Sequence, residues 1–270
     1  AIVGLSFPSG TNIYYDEAIV QQIVTPNSGF VAGANYNQDN RNNTGNQWDA
    51  YYQNVIKHTS DVILQLNTEE SDRSNLLQMA RILEAYAFMV LTDEYGEIPY
   101  FEAGKGLSEQ VVLPSYDPQE QIYPDLINEL IEARDALSDS APAESGEAMY
   151  AGDLDQWRKL ANSLLVRMGM RLSNVDPTLA EQTVQSGFNG GVMESNEDNF
   201  VVRHDNNFTN PYSFTFNGTE ANNFYLTDVF VDYLYNNDDP RLASLAIRYV
   251  GAASGPDQVE AIASKDPDDQ

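Results

Sequence analysis

Histidine and cysteine, which commonly carry nucleophilic or metal chemistry, are scarce or missing in this chain. There are two histidines, His58 and His204, and no cysteine. The histidines lie far apart, neither has a metal-binding neighbour pattern, and no nucleophile-elbow motif accompanies them. Without cysteine the sequence offers no disulfide, no thiol nucleophile and no zinc–thiolate site. We therefore predict that the chain is not an enzyme and uses neither a metal nor a cofactor.

Carboxylates are abundant, but their spacing does not mark a catalytic pair. Glycosidase chemistry needs two carboxylates held about 5–10 Å apart across a sugar, and nothing distinguishes Glu69–Glu70, Glu94–Glu97 or Asp238–Asp239 as such a pair. Two oxygen-rich loops, Asp39–Asn46 and Ser195–Asn199, lack the ligand spacing of a calcium-binding EF-hand. Turn formation by Asn, Asp and Gly accounts for both loops more simply. A solvated acidic surface is the favoured interpretation.

The best candidate for ligand binding is a segment rich in aromatic and amide side chains, between residues 35 and 52. Aromatic rings stack on the apolar faces of sugars, and amide groups suit sugar hydroxyls; loops held by a rigid scaffold commonly carry such groups. The alternative is that Trp48 anchors the first helix in the core while the asparagines only form turns. The predicted ligand-binding residues are Tyr36, Asn37, Asn43, Trp48 and Tyr51.

The charge balance limits the classes of partner that the chain is expected to bind. The 270 residues include 41 acidic and 14 basic side chains, for a net charge of −27. Such a surface repels phosphate backbones, so we expect no nucleic acid partner, and it disfavours docking onto anionic lipid. It suits neutral or cationic ligands, although acidity also simply aids solubility. No apolar run is long enough, at about 18 residues, for a transmembrane helix.

Apolar residues recur at helical spacing in four long segments. The first covers residues 46–67, and the second runs from Ser71 to a stop at Gly96, where Pro99 follows. These signals predict that Gly96 to Pro99 forms a fixed turn, since glycine ends helices and proline cannot continue the hydrogen-bond ladder.

The third and fourth helices are predicted from their starts. For the third, Asp117 is placed as the cap, Pro118 in the first helical position and Glu120 in the capping box. The fourth begins near Asp153, with Gln156 at the capping-box position.

Three side chains on the fourth helix could bind a ligand or serve the fold. Trp157 is expected in the core rather than as a ligand platform. Arg167 and Arg171, four residues apart, could form an anion site, but ion pairing with acidic neighbours of another helix is strongly favoured.

Beyond these helices, Asp176 and Pro177 open a shorter helix, and a last one is expected from Thr227 to Tyr235. Between them we expect loops, with a short hairpin around Phe200–Arg203. The predicted fold is therefore all-α, a tetratricopeptide-like helical repeat scaffold with long irregular loops, in a single domain over residues 1–270.

Several segments carry sequence motifs of a known family: residues 80–88 with 92–100, residues 116–130, residues 150–173 and Asp239-Pro240-Arg241-Leu242. The first is a long helix that ends in Tyr-Gly-acidic-aliphatic-Pro. These segments resemble the SusD/RagB family of nutrient-binding lipoproteins. They occur in the family's order, cover roughly residues 45–250, and are specific only jointly.

The resemblance implies a function as well as a fold. Members of this family sit as lipid-anchored proteins on the surface of the outer membrane of Gram-negative bacteria. They hand oligosaccharides, or sometimes peptides, to a TonB-dependent SusC-like barrel. Because members usually run well beyond 270 residues, the chain is expected to be truncated at its C-terminus, and it has no cysteine for the lipid anchor. Two alternatives stay open: a helical scaffold that binds a protein or peptide, and a secreted glycosidase.

Overall fold

The computed structural model describes residues 17–25, 41–68, 71–106, 108–144, 146–207, 209–216 and 224–245, apart from the side chains of residues 41–44 and 211. The chain divides into two compact units. Unit 1 comprises Ala1–Pro8 and Thr44–Phe208, and unit 2 comprises Ser9–Asn43 and Thr209–Gln270. The expectation of one domain over the whole chain stays a prediction.

Helices dominate the described residues. A π-helical turn at Tyr52–Ile56 joins the second helix to the third, and a 3-10 turn lies at Asn196–Asp198. In chain order the elements are α1 (Glu17–Ile19), β1 (Ile23–Val24), α2 (Arg41–Tyr51), α3 (Lys57–Thr68), α4 (Ser74–Tyr95), α5 (Gln119–Ala136), α6 (Leu154–Leu172), α7 (Pro177–Asn189), α8 (Pro211–Phe214), β2 (Tyr225–Leu226), α9 (Asp228–Asn236) and α10 (Leu242–Leu245).

The helices of unit 1 pack in chain order. From α3 to α7 each helix contacts the next one along the chain, and α4 also contacts α6. The apolar stripes read from the sequence face one continuous core, in which the side chains of Ile82, Ile122 and Leu165 are completely buried. Trp157 is also completely buried, as predicted. Stacked helices that bury their apolar faces on neighbours confirm the all-α, tetratricopeptide-like prediction.

The start of α6 follows its sequence signal, whereas the start of α5 does not. Asp153 caps α6 by accepting hydrogen bonds from the backbone N–H groups of Asp155 (2.9 Å) and Gln156 (3.2 Å). The prediction of Asp117 as the cap of α5 was wrong, because Pro118 occupies the cap position without a side-chain bond. The Asp117 carboxylate instead accepts the N–H groups of Tyr100 and Phe101, both at 2.9 Å.

The hairpin predicted around Phe200–Arg203 is also absent, since these residues form no strand. Phe200 instead packs against Trp157 and Tyr150, with ring centroids 5.8 Å apart in both pairs. Burial of an aromatic ring on the core outweighs local β-propensity here.

The described part of unit 2 contains a two-stranded sheet that the sequence did not indicate. β1 and β2 are antiparallel, with Ile23 opposite Leu226 and Val24 opposite Tyr225. Next to them Thr227 caps α9, accepting the N–H of Phe230 at 3.2 Å, which confirms the predicted start of that helix.

Candidate ligand-binding site

The structure places the predicted ligand-binding residues in different environments. Tyr36 and Asn37 lie outside the described residues, and so does the side chain of Asn43, whose backbone belongs to α2. Tyr51 is only 4% exposed and belongs to the hydrophobic core. Its ring offers almost no surface for stacking, so Tyr51 is not part of the site proposed below. Trp48 is half-buried and packs against the edge of the core.

Trp48 lies at the centre of an aromatic cluster. Its ring centroid is 4.8 Å from that of Tyr52 in a tilted arrangement and 5.2 Å from that of Tyr95 in an edge-to-face arrangement. Tyr116 stacks on it at 5.9 Å with an interplanar angle of 20°. Offset stacking and edge-to-face contacts are the favoured geometries of aromatic pairs. The cluster therefore fixes the orientation of Trp48.

Tyr116 is the exposed ring of this cluster, with 61% of its surface accessible. We call the pair of Trp48 and Tyr116 the aromatic platform. Trp48 packs against one side of the Tyr116 ring, and most of the Tyr116 surface stays exposed. Sequence reasoning missed Tyr116, although it stands directly before Asp117-Pro118 at the start of a segment that carries the family resemblance.

The π-helical turn after α2 fixes Tyr52 behind the platform. A π turn inserts an extra residue into the helical ladder and changes which side chains face the core. In this turn Val55 and Ile56 are buried, while Tyr52 points its hydroxyl at the carbonyl of Pro99, to which it donates at 2.6 Å. Burial, with the nearby charges of Tyr116 and Asp117, raises the pKa of Tyr52. The hydroxyl therefore stays a neutral donor.

The Gly96–Pro99 turn is held from several sides, as the sequence predicted. Gly96 has a positive φ of +76° and its N–H donates to the Thr92 carbonyl at 2.9 Å. Ile98 pairs with Asp117 in an antiparallel bridge. With the bond from Tyr52 to Pro99, this turn links the end of α4 to the loop that carries Tyr116.

The ion pairs expected on α6 are present in part. Arg171 Nη1 lies 3.0 Å from the carboxylate of Asp93 on α4, and the Tyr123 hydroxyl of α5 donates to the same carboxylate. Burial raises the pKa of Asp93, while the Tyr123 bond and the charges of Arg171 and Arg167 oppose that shift. Arg171 therefore joins helices rather than forming an anion site.

The candidate metal-ligating and catalytic side chains of the described residues do not gather in one place. In that part of the chain no cluster of three or more histidine, aspartate or glutamate side chains could hold a metal ion. His58 is exposed on α3, and Asp239 is bound by Arg241 at its guanidinium and backbone N–H, which lowers the pKa of Asp239 to about 2. Glu69 and Glu70 lie outside the described residues.

Comparison with known proteins then assigns the family. The SusD-like family model, described as starch-binding and associating with the outer membrane, matches residues 8–265. The chain belongs to the SusD-like family. The match runs through both compact units and contains the aromatic platform. Among the described residues of this SusD-like chain, no helix is long and apolar enough to cross a membrane.

Several solved structures share this fold over most of the chain. A chitin-binding protein is 31% identical, with a TM-score of 0.80 over 91% of this chain and 53% of its own. A Bacteroidetes SusD-like protein is 28% identical, with a TM-score of 0.75 over 86% of this chain and 46% of its own. A chitin-binding SusD homologue from Flavobacterium johnsoniae is 25% identical, with a TM-score of 0.71 over 87% of this chain and 48% of its own.

The chain thus spans about half the length of these solved relatives. No curated protein matches the chain.

Proposed function

We propose that this SusD-like chain captures oligosaccharides without catalysis and that the aromatic platform is a contact surface for them. The observation that carries the proposal is that Tyr116 is 61% exposed while it stacks on Trp48. Such a supported and accessible ring suits a pyranose face, whose C–H groups are apolar. The family's starch-binding description and the two chitin-binding relatives support a neutral glycan as the ligand.

In the whole protein, capture of the glycan would be the first step of its uptake into the cell. We propose that a lipid anchor holds the protein on the cell-surface side of the outer membrane. There it delivers the glycan to a TonB-dependent SusC-like transporter. Co-purification of the full-length protein with a SusC-like barrel would support this partnership. A barrel that takes up the glycan equally well when the SusD-like gene is deleted would contradict it.

The platform is tested by calorimetric titration of soluble chito- and malto-oligosaccharides. We expect Tyr116→Ala and Trp48→Ala to weaken binding by about tenfold or more, a loss of roughly 1–3 kcal/mol that is typical of removing a stacked ring. Phe188→Ala is the matched control, because it removes a ring that is 68% exposed on α7, outside the cluster. Equal affinities of the folded wild type, Tyr116→Ala and Trp48→Ala would move the glycan site elsewhere.

The same titrations separate the proposal from its alternatives. Stacking on a neutral sugar depends little on ionic strength, whereas a cationic peptide held by carboxylates is released as salt screens the charges. We expect nearly constant glycan affinity between low and high salt, and no hydrolysis products after long incubation. A steep loss with salt would favour the peptide scaffold, and shortened oligosaccharides would favour the glycosidase.

A further inference from the structure

A cavity of about 410 Å³ opens in unit 1. Helices α3, α4 and α5 and the loop after the Gly96–Pro99 turn form its walls. Its size falls in the range of small-ligand pockets. Neither Trp48 nor Tyr116 lines it. The side chains on which the argument depends are Glu84, Phe88, Tyr100, Phe101, Ala103 and Asp125.

One wall of the cavity is aromatic. The rings of Phe88 and Tyr100 meet edge to face at 4.7 Å, and those of Tyr100 and Phe101 at 4.8 Å. Phe101 keeps 40% of its surface exposed. Aromatic faces carry negative charge density and attract cations.

The cavity wall also carries the carboxyl group of Glu84, a half-buried residue of α4. Its Oε2 lies within hydrogen-bonding distance of the hydroxyls of Thr59 and Ser60 (2.9 Å for Ser60), while Oε1 has no hydrogen-bond partner among the described residues. Burial raises the pKa of Glu84 to about 7, against the opposing effect of the two hydroxyls. The Oε1 atom keeps some exposure at the cavity wall, so it can accept a hydrogen bond from a bound ligand.

Further charge in the cavity is also predominantly negative. Asp125 accepts a hydrogen bond from the Tyr100 hydroxyl at 2.7 Å. The two cations of the lining are already engaged: Arg81 with Glu129 at 2.9 Å and Glu132 at 2.8 Å, and Lys105 with Glu109 at 3.3 Å.

Two carboxyl groups thus remain without a cation. Within the described residues, neither Glu84 nor Asp125 forms an ion pair. The cavity therefore combines two carboxyl groups with an aromatic wall, and no protein cation neutralises those groups.

We propose that this cavity binds the protonated amino group of a 2-amino sugar, such as a glucosamine unit of a de-N-acetylated glycan. The ammonium group would donate charge-assisted hydrogen bonds to Glu84 and Asp125, and the aromatic wall would contact the cation and the apolar side of the ring. This second site uses side chains other than those of the aromatic platform and discriminates a free amine from its acetamide.

The experiment compares two ligands that differ only at nitrogen: glucosamine oligomers and N-acetylglucosamine oligomers of equal length. Calorimetry is run near neutral pH at low and high salt. For the wild type we expect a glucosamine-specific binding event that weakens as salt is raised. Glu84→Gln and Asp125→Asn should each weaken that event about tenfold or more, since hydrogen bonds to charged groups contribute roughly 1.5–3 kcal/mol.

Two controls keep this test separate from the platform test. Glu120→Gln removes one charge from an exposed position of α5 and should leave glucosamine binding unchanged. Trp48→Ala should leave the glucosamine-specific, salt-dependent event unchanged. Failure of the cavity proposal, with glucosamine affinity unaltered by Glu84→Gln, is then visible whether or not the platform binds neutral glycans.

A variant that fills the cavity covers the case in which a charge variant fails to fold. Ala103→Leu adds bulk at the wall without changing any charge, and it should abolish the glucosamine-specific event. Equal affinity for the two sugar series would overturn the proposal. So would lysine amide competing as well as glucosamine, because the cavity would then recognise any ammonium group rather than an amino sugar.

Discussion

At the residue scale, Glu84 makes the stability of this protein depend on pH. Its neighbours in the cavity are Asp125, Glu129, Arg81 and Lys105, and the charge of Glu129 adds to the rise in the pKa of Glu84 that burial causes. A pKa of about 7 in the folded state lies above the ordinary value of 4.5. The folded state therefore holds a proton that the unfolded chain has lost between these values, and stability falls as pH rises through this window.

This linkage gives a prediction for Glu84→Gln. Because glutamine does not ionise, the variant should lose the part of the pH dependence that Glu84 supplies between about pH 4.5 and 7, on the order of 3 kcal/mol. Relative to wild type it should be most stabilised at the alkaline end. Urea unfolding at several pH values measures this difference, with Glu120→Gln as the exposed control. Parallel wild-type and Glu84→Gln curves would show that Glu84 ionises freely in the folded state.

At the element scale, the end of α4 decides where the loop bearing Tyr116 begins. Gly96 has a φ of +76°, and a Cβ added there would meet no atom within 4 Å. The cost of a side chain at this position is therefore a backbone cost alone, since L-residues other than glycine are strained at positive φ.

We accordingly expect Gly96→Val to lower the free energy of unfolding by about 1 kcal/mol or more. Gly45→Ala is the matched control: Gly45 lies in α2, also has no atom within 4 Å of an added Cβ, and does not have a positive φ. It should be neutral or slightly stabilising, because alanine favours helix. Thermal melts of both variants measure the contrast. A neutral Gly96→Val variant would mean that the turn relaxes without strain.

At the scale of the whole molecule, the dominant physical property is the net charge of −27. Repulsion among like charges destabilises a compact chain, and it is screened as the Debye length falls to about 8 Å at physiological ionic strength. The described ion pairs, such as Arg171 with Asp93, would be weakened by the same salt. Exposed pairs contribute little each, so repulsion should outweigh them.

We therefore expect the melting temperature to rise as sodium chloride is added from low to physiological concentration. An uncharged osmolyte at equal concentration serves as the control, because it does not screen charge. A melting temperature that falls with salt would show that specific ion pairs contribute more than the net repulsion costs.

How much of the candidate site could be predicted depends on how far apart in the sequence the contacting residues lie. Trp48 was found from its residue type and its neighbours, and it lies in an aromatic cluster. Tyr51 meets the same criterion but is 4% exposed, because it lies on the face of its helix that packs against the core. Tyr116 was missed because its stacking on Trp48 joins positions far apart in the chain, which no local pattern reveals.

The helices, the all-α class and the family resemblance could be predicted from the sequence alone. Helical periodicity, the Asp153 cap and the Gly96 stop are local signals, so they can be recognised without knowing any tertiary contact. The partners of Asp117, Phe200 and Glu84 depend on tertiary contacts that no local pattern reveals. Asp117 and Phe200 each left a predicted local role for a contact with another segment, because burial and hydrogen bonding across segments outweigh the smaller preferences that capping and propensity express.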